Sequence, residues 1–109
     1  MKVTIELTHE ELRDIATTAT ERYGCGYWAR TEKSFDQALD EPVKVFDAEE
    51  PEKLLGVLTR EKLEGAASVF ATKAPRSQVV SLLEWPNAID GSSADNFIQC
   101  ALFGEIRYG

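Results

Sequence analysis

One histidine and two cysteines are all this chain offers of the residue types that most often hold metals or act as nucleophiles. His9 stands beside Glu10 and Glu11 in an early helical turn, a solvated position with no second histidine to complete a ligand set or a Ser-His-Asp relay. Cys25 and Cys100 lack CxxC spacing and are too few for a disulfide framework, so both read as reduced thiols. Cys25 lies between two glycines, an accessible setting for a thiol, but no base stands near it to generate the thiolate. A Gly-rich phosphate loop ending in Lys-Ser/Thr is also missing. Long apolar runs are absent too. Met1 to Leu7 alternates and carries charge, unlike a signal peptide, and nothing downstream approaches the roughly 20 apolar residues of a membrane span. The expectation is a cytoplasmic protein with no catalytic residues, no metal and no cofactor.

Positive charge is scarce as well. Lys and Arg number 12 against 19 Asp and Glu, and the net charge of -7 disfavours attraction to a phosphate backbone. The imbalance is concentrated in one place. Residues 32–52 hold eight acids (Glu32, Asp36, Asp40, Glu41, Asp47, Glu49, Glu50, Glu52) against Lys33 and Lys44, which accounts for six of the seven net negative charges. Such a run is either a solvated loop pair flanking a strand or an acidic surface that docks on a basic groove of a partner. Asp36 with Asp40, and Glu61 with Glu64, share helix faces, but paired carboxylates without neutral ligands are expected by chance in so acidic a chain.

The pattern of what remains predicts one α+β domain, a small antiparallel sheet of three to four strands packed with three to four helices. At 109 residues the chain is long enough for one core without staples. Val3, Ile5 and Leu7 alternate with polar neighbours, predicting a strand over Lys2 to Leu7. Thr8-His9-Glu10-Glu11 is a capping box, and Leu12, Ile15, Ala16, Ala19 and Tyr23 form the apolar stripe of the helix it opens. Gly24 is placed for a left-handed cap and Gly26 for a chain reversal before a strand from Tyr27 to Thr31. Val43 to Phe46 supplies an antiparallel partner, with a helical turn over Ser34 to Leu39 between them. Thr59 caps a helix from Arg60 to Lys73 that Pro75 ends, and a short third helix stops at Trp85-Pro86. A last helix, capped by Ser92 or Ser93, presents Ala94, Phe97, Ile98, Ala101 and Leu102 and closes at Gly104. Ile106 and Tyr108 then alternate as in an edge strand.

Function, on these terms, means binding. Tyr27, Trp28 and Arg30 are residue types that anchor interfaces, and with Asp36, Asp40, Glu49 and Glu50 they form the candidate partner-binding set. Strand alternation puts Tyr27 with Ala29 on one face and Trp28 with Arg30 on the other, so Trp28 in the core leaves Tyr27 at its rim. A second possibility is stacking of Tyr27 and Trp28 on single-stranded nucleic acid, with Arg30 at a phosphate.

Two segments carry a resemblance: Gly24-Cys25-Gly26-Tyr27-Trp28-Ala29-Arg30, and Ala94-Asp95 followed by Gln99 through Leu102-Phe103-Gly104-Glu105-Ile106-Arg107-Tyr108-Gly109. In these motifs and their order the chain resembles a group of small uncharacterised proteins encoded by bacteriophages and prophages. No catalytic residues come with the group. The resemblance implies phage origin. By class-level analogy it implies an antagonist of a bacterial defence system, such as an anti-CRISPR protein acting on a CRISPR-Cas complex, or else a phage accessory or structural protein.

Overall fold

In the computed structural model, which describes residues 6–21 and 24–109, helices and a small antiparallel sheet form an α+β fold. The helix α1 (His9–Thr20) opens as its capping box dictates. Thr8 Oγ1 accepts from the Glu11 amide at 3.1 Å while Glu11 Oε1 accepts from the Thr8 amide at 2.8 Å. Leu12, Ile15, Ala16 and Ala19 are buried along one stripe. The predicted strand from Lys2 falls mainly outside the described residues, as does Tyr23; Glu6 and Leu7 have no strand pairing.

The chain then departs from its local propensities. Gly24 is not left-handed (φ -92), and α1 has already ended at Glu21, whose amide turns back to the Thr18 carbonyl. Cys25–Tyr27 forms a single 3-10 turn instead of the start of a strand, and β1 is reduced to Ala29–Arg30. The reason is tertiary: the side chains of Tyr27 and Trp28 both reach Asp95, far along the chain, and a pleated strand would send them to opposite faces. A second 3-10 segment, Phe35–Leu39, buries Phe35, Ala38 and Leu39 and is tied to α1 where the Phe35 amide donates to Thr20 Oγ1 at 3.0 Å.

β2 (Val43–Asp47) is central in the order β1-β2-β3 and pairs antiparallel with β1 through Ala29↔Asp47 and Arg30↔Phe46. β3 (Leu54–Leu58), which the sequence pattern did not single out, pairs with β2 through Val43↔Leu58 and Val45↔Gly56, with a bulge before Phe46↔Leu54. Val43 and Val45 face inward and Lys44 outward. Gly56, opposite Val45, lies against Leu102 near the end of the chain: a Cβ there would stand 2.9 Å from Leu102 Cδ1.

The helix α2 (Arg60–Lys73) starts at Thr59, whose hydroxyl accepts from the Lys62 amide, and ends before Pro75. Leu63, Ala66, Ala67 and Phe70 are its buried stripe. α3 (Arg76–Glu84) follows at once and buries only Leu82. The last helix, α4 (Gly91–Phe103), is capped by Asp90, not by Ser92 or Ser93; Asp90 Oδ1 accepts from the Ser93 amide at 2.8 Å. It forms the centre of the core, with Phe97 against Phe70 of α2 (ring centroids 5.7 Å apart), and Gly104 closes it with φ 72. The predicted terminal strand is absent. Residues 105–109 run back along α4 without pairing to the sheet.

Candidate functional site

Asp95 is the residue on which the aromatic half of the candidate set is built. It is buried on the inward side of α4, and its two carboxylate oxygens take three donors: Tyr27 Oη at 2.6 Å on one, Trp28 Nε1 at 2.7 Å and Gln99 Nε2 at 2.9 Å on the other. A carboxylate supplied with this many donors is a satisfied core group. Gln99, one turn on and fully buried, holds the tail with the rest of its amide. Its Oε1 accepts from the Arg107 and Tyr108 amides, both at 2.8 Å, and its Nε2 also donates to the Tyr108 carbonyl at 3.0 Å. One side chain thus does for residues 107–108 what a neighbouring strand would have done. Tyr108 is laid parallel on Trp28, with ring centroids 5.0 Å apart and 6° between planes, Phe103 leans on both rings, and the Arg107 guanidinium covers Phe103 at 4.4 Å.

Trp28 is therefore core and Tyr27 rim, as strand alternation suggested, although a turn brings it about. Trp28 is 3% exposed and Tyr27 54%. Trp28 has its N–H bonded and a ring face covered, so stacking on a nucleobase would first require the tail to leave. Arg30 is exposed on β1. The acidic members lie in two other places. Asp36 and Asp40 converge on Arg13 of α1, at 3.4 and 3.6 Å, which partly neutralises them. Glu49 and Glu50 occupy the β2–β3 turn, where Asp47 Oδ1 accepts from both of their amides, at 2.7 and 3.2 Å, and fixes the turn. Among the described residues neither has a basic side chain within ion-pair distance; Glu41, by contrast, is paired with Lys33. The structure thus joins Tyr27 to Trp28 and Asp36 to Asp40, but it does not gather the seven residues into one pocket.

Both cysteines are free and buried. Burial, reinforced by the charge of Asp95 and a hydrogen bond to it, pushes the Cys25 thiol far up, so the position between glycines does not make it accessible or nucleophilic. Burial likewise raises Cys100 to about 11, against a small opposing pull from Lys73. Tyr27 is raised by burial and by its bond to Asp95. His9 is exposed beside a shallow cavity of about 360 Å³ lined also by Leu12, Arg60 and Glu64. Another, of about 310 Å³, lies between Glu32, Lys33, Lys44 and Phe46. Neither holds a nucleophile with a base, and no cluster of three or more His, Cys, Asp or Glu side chains suited to a metal occurs among the described residues.

Sequence reasoning gives Asp95, Gln99 and Tyr108 no place in the candidate site, although all three stand in the resemblance segments and Tyr108 in the expected terminal strand. The signal was present: Asp95 and Gln99 are polar residues four apart, set among the apolar positions of α4, where a solvated face would leave them out. It also passed over the exposed apolar side chains of α3. No described helix is long and apolar enough to cross a membrane. No family model, curated protein or solved structure matches the chain.

Proposed function

We propose that the chain is a phage-encoded inhibitor of a bacterial defence system, of the anti-CRISPR kind, which acts in the host cytoplasm by stoichiometric binding to a protein or ribonucleoprotein complex and not by catalysis. The observation that carries this reading is the fixed acidic surface: a β2–β3 turn holding Glu49 and Glu50 outward in a chain of net charge -7. Such a surface suits a basic groove that otherwise receives nucleic acid, where it supplies steering and occlusion. Direct binding of single-stranded nucleic acid through Tyr27, Trp28 and Arg30 is the weaker reading, because the Trp28 ring is already stacked and its N–H already bonded.

The test has two arms. Expressed in a bacterium with active CRISPR-Cas immunity, the protein should restore plating of a targeted phage, and replacing Asp36, Asp40, Glu49 and Glu50 by Ser should abolish this without loss of fold, since three of the four are exposed and the half-buried Asp36 gives up only its ion pair with Arg13. In a mobility-shift titration at about 0.15 M salt, neither single- nor double-stranded DNA should shift in the micromolar range. Unrestored plating across a panel of defence systems, with tight single-strand binding lost on Arg30→Ala, would replace inhibition by nucleic-acid binding.

A further inference from the structure

α3 presents more apolar surface than the fold uses. Its apolar residues come in adjacent pairs, Val79-Val80 and Leu82-Leu83, and each pair spans about 100° of helix. Leu82 is buried and Val79 packs against the core, so their partners point away from it: Val80 is 42% exposed and Leu83 58%. Trp85 follows at the end of the helix and is 64% exposed, the most exposed large apolar side chain among the described residues. Its backbone is nonetheless held, the amide donating to the Ser81 carbonyl at 2.7 Å and the carbonyl accepting from the Ala88 amide at 3.0 Å. A Trp displayed on a fixed backbone loses little freedom on being covered, which is the property of an interface anchor.

The charge around this face has one sign at the Trp85 end. From Ser77 to Ile106 the sequence has no Lys, Arg or His, while Glu84 is exposed next to Trp85 and Asp90, also exposed, stands five residues on at the cap of α4. Asp14 of α1 is brought to the same edge, its Oδ2 accepting from Asn87 Nδ2 at 2.6 Å. Arg76, one turn before Val80, is the cation at the far end. A membrane of anionic lipid would be repelled by the acidic end, as would a second copy laid parallel on this face; a second copy laid antiparallel sets Arg76 against that end and is an outcome of the test.

We infer that Val80 and Leu83 of α3, with Trp85 just beyond its end, form a docking face for a basic protein surface with an apolar cleft, which takes the Trp85 side chain while its cationic rim meets Asp14, Glu84 and Asp90. The inference rests on the binding function proposed above, but it uses elements other than the acidic β2–β3 turn.

The probe is a labelled amphipathic helical peptide of lysine on one face and leucine on the other, with a control in which serine replaces every leucine. Fluorescence anisotropy at about 0.15 M salt should show saturable binding of the first peptide to the full chain and little of the second. Leu83→Ser and Trp85→Ser should each weaken it about tenfold or more, as truncation of an anchor does. Glu84→Lys should weaken it and flatten its salt dependence. The variant with Ser at positions 36, 40, 49 and 50 should bind the peptide like the parent, so failure of the acidic-turn reading and failure of this one are told apart. Circular dichroism melts check that these exposed substitutions leave the fold in place. Equal binding of both peptides, or binding indifferent to Leu83→Ser and Trp85→Ser, overturns the inference. So does a concentration-dependent dimer in sedimentation that Leu83→Ser abolishes, since the face would then serve a second copy.

Discussion

An alanine at position 24 would place its Cβ 2.0 Å from the Ala19 carbonyl oxygen and within 3 Å of two further backbone atoms of that residue. Gly24 is thus required for close approach of the chain to the end of α1, although its φ of -92 is not left-handed. Gly104 is the opposite case, with φ 72 and open space where a Cβ would be. Gly26, two residues from the first, has neither constraint. The three should separate in urea unfolding. Gly24→Ala should cost about 3 kcal/mol or more, the upper range for forced overpacking, because backbone atoms cannot move aside as a flexible side chain can. Gly104→Ala should cost about 1–2 kcal/mol for the left-handed backbone alone, and Gly26→Ala should stay within about 0.5 kcal/mol of the parent. Equal effects at positions 24 and 26 would show that the 3-10 turn adjusts and that the contact with Ala19 is not a constraint.

At the scale of elements, the C-terminal tail is a strand replaced by a side chain. Deleting residues 105–109 would take from the buried Gln99 the Arg107 and Tyr108 amides and the Tyr108 carbonyl, and would uncover the Trp28 ring. A buried amide left in this state costs about 1–3 kcal/mol, and each kcal/mol moves the melting temperature by about 4–8 °C in a domain of this size. The truncated chain should melt several degrees lower and its tryptophan emission should shift to the red. Gln99→Leu should harm the full chain but recover part of the loss in the truncated one, because it removes the orphaned amide. A truncated protein that melts like the full chain would make the tail a free element. Local reading holds at the starts of α1 and α2 but not at Gly24, nor at the cap of α4, which is Asp90. The capping box starts α1 at His9, and Thr59 and Pro75 bracket α2 at the predicted residues. It fails at Tyr27 and Tyr108, whose conformations answer to Asp95 and Gln99 and not to their neighbours. The candidate surfaces divide in the same way. Glu49 and Glu50 were legible because charge density is local, whereas the open face of α3 was not, since periodicity shows that Leu82 and Leu83 are apolar but not which of them meets a neighbour.

For the whole molecule, three ionisable groups set a limit on the alkaline side. Cys25, Cys100 and Tyr27 are each raised above their ordinary values, with burial as the first cause. An acid of this kind ionises more readily in the unfolded chain. Its contribution is intact below the unfolded pKa, about 8.5 for a thiol and about 10 for a phenol, and is lost as pH rises toward the folded value. For Cys100 that window runs from about 8.5 to about 11. The urea midpoint should therefore hold steady between about pH 7 and 8 and fall across the thiol window, helped by growing self-repulsion in a chain already at -7. Because the repulsion is common to every variant, the thiol's part is read as a difference. Cys100→Ala should start from a lower midpoint, having lost a buried side chain, yet decline less steeply than the parent over the window. Tyr27→Phe, at a half-exposed position, should change the slope less and at higher pH. A parent midpoint that stays level to about pH 11, or a Cys100→Ala decline parallel to the parent's, would mean that the thiol reaches water in the folded state and that α4 is not closed over it as the packing here requires.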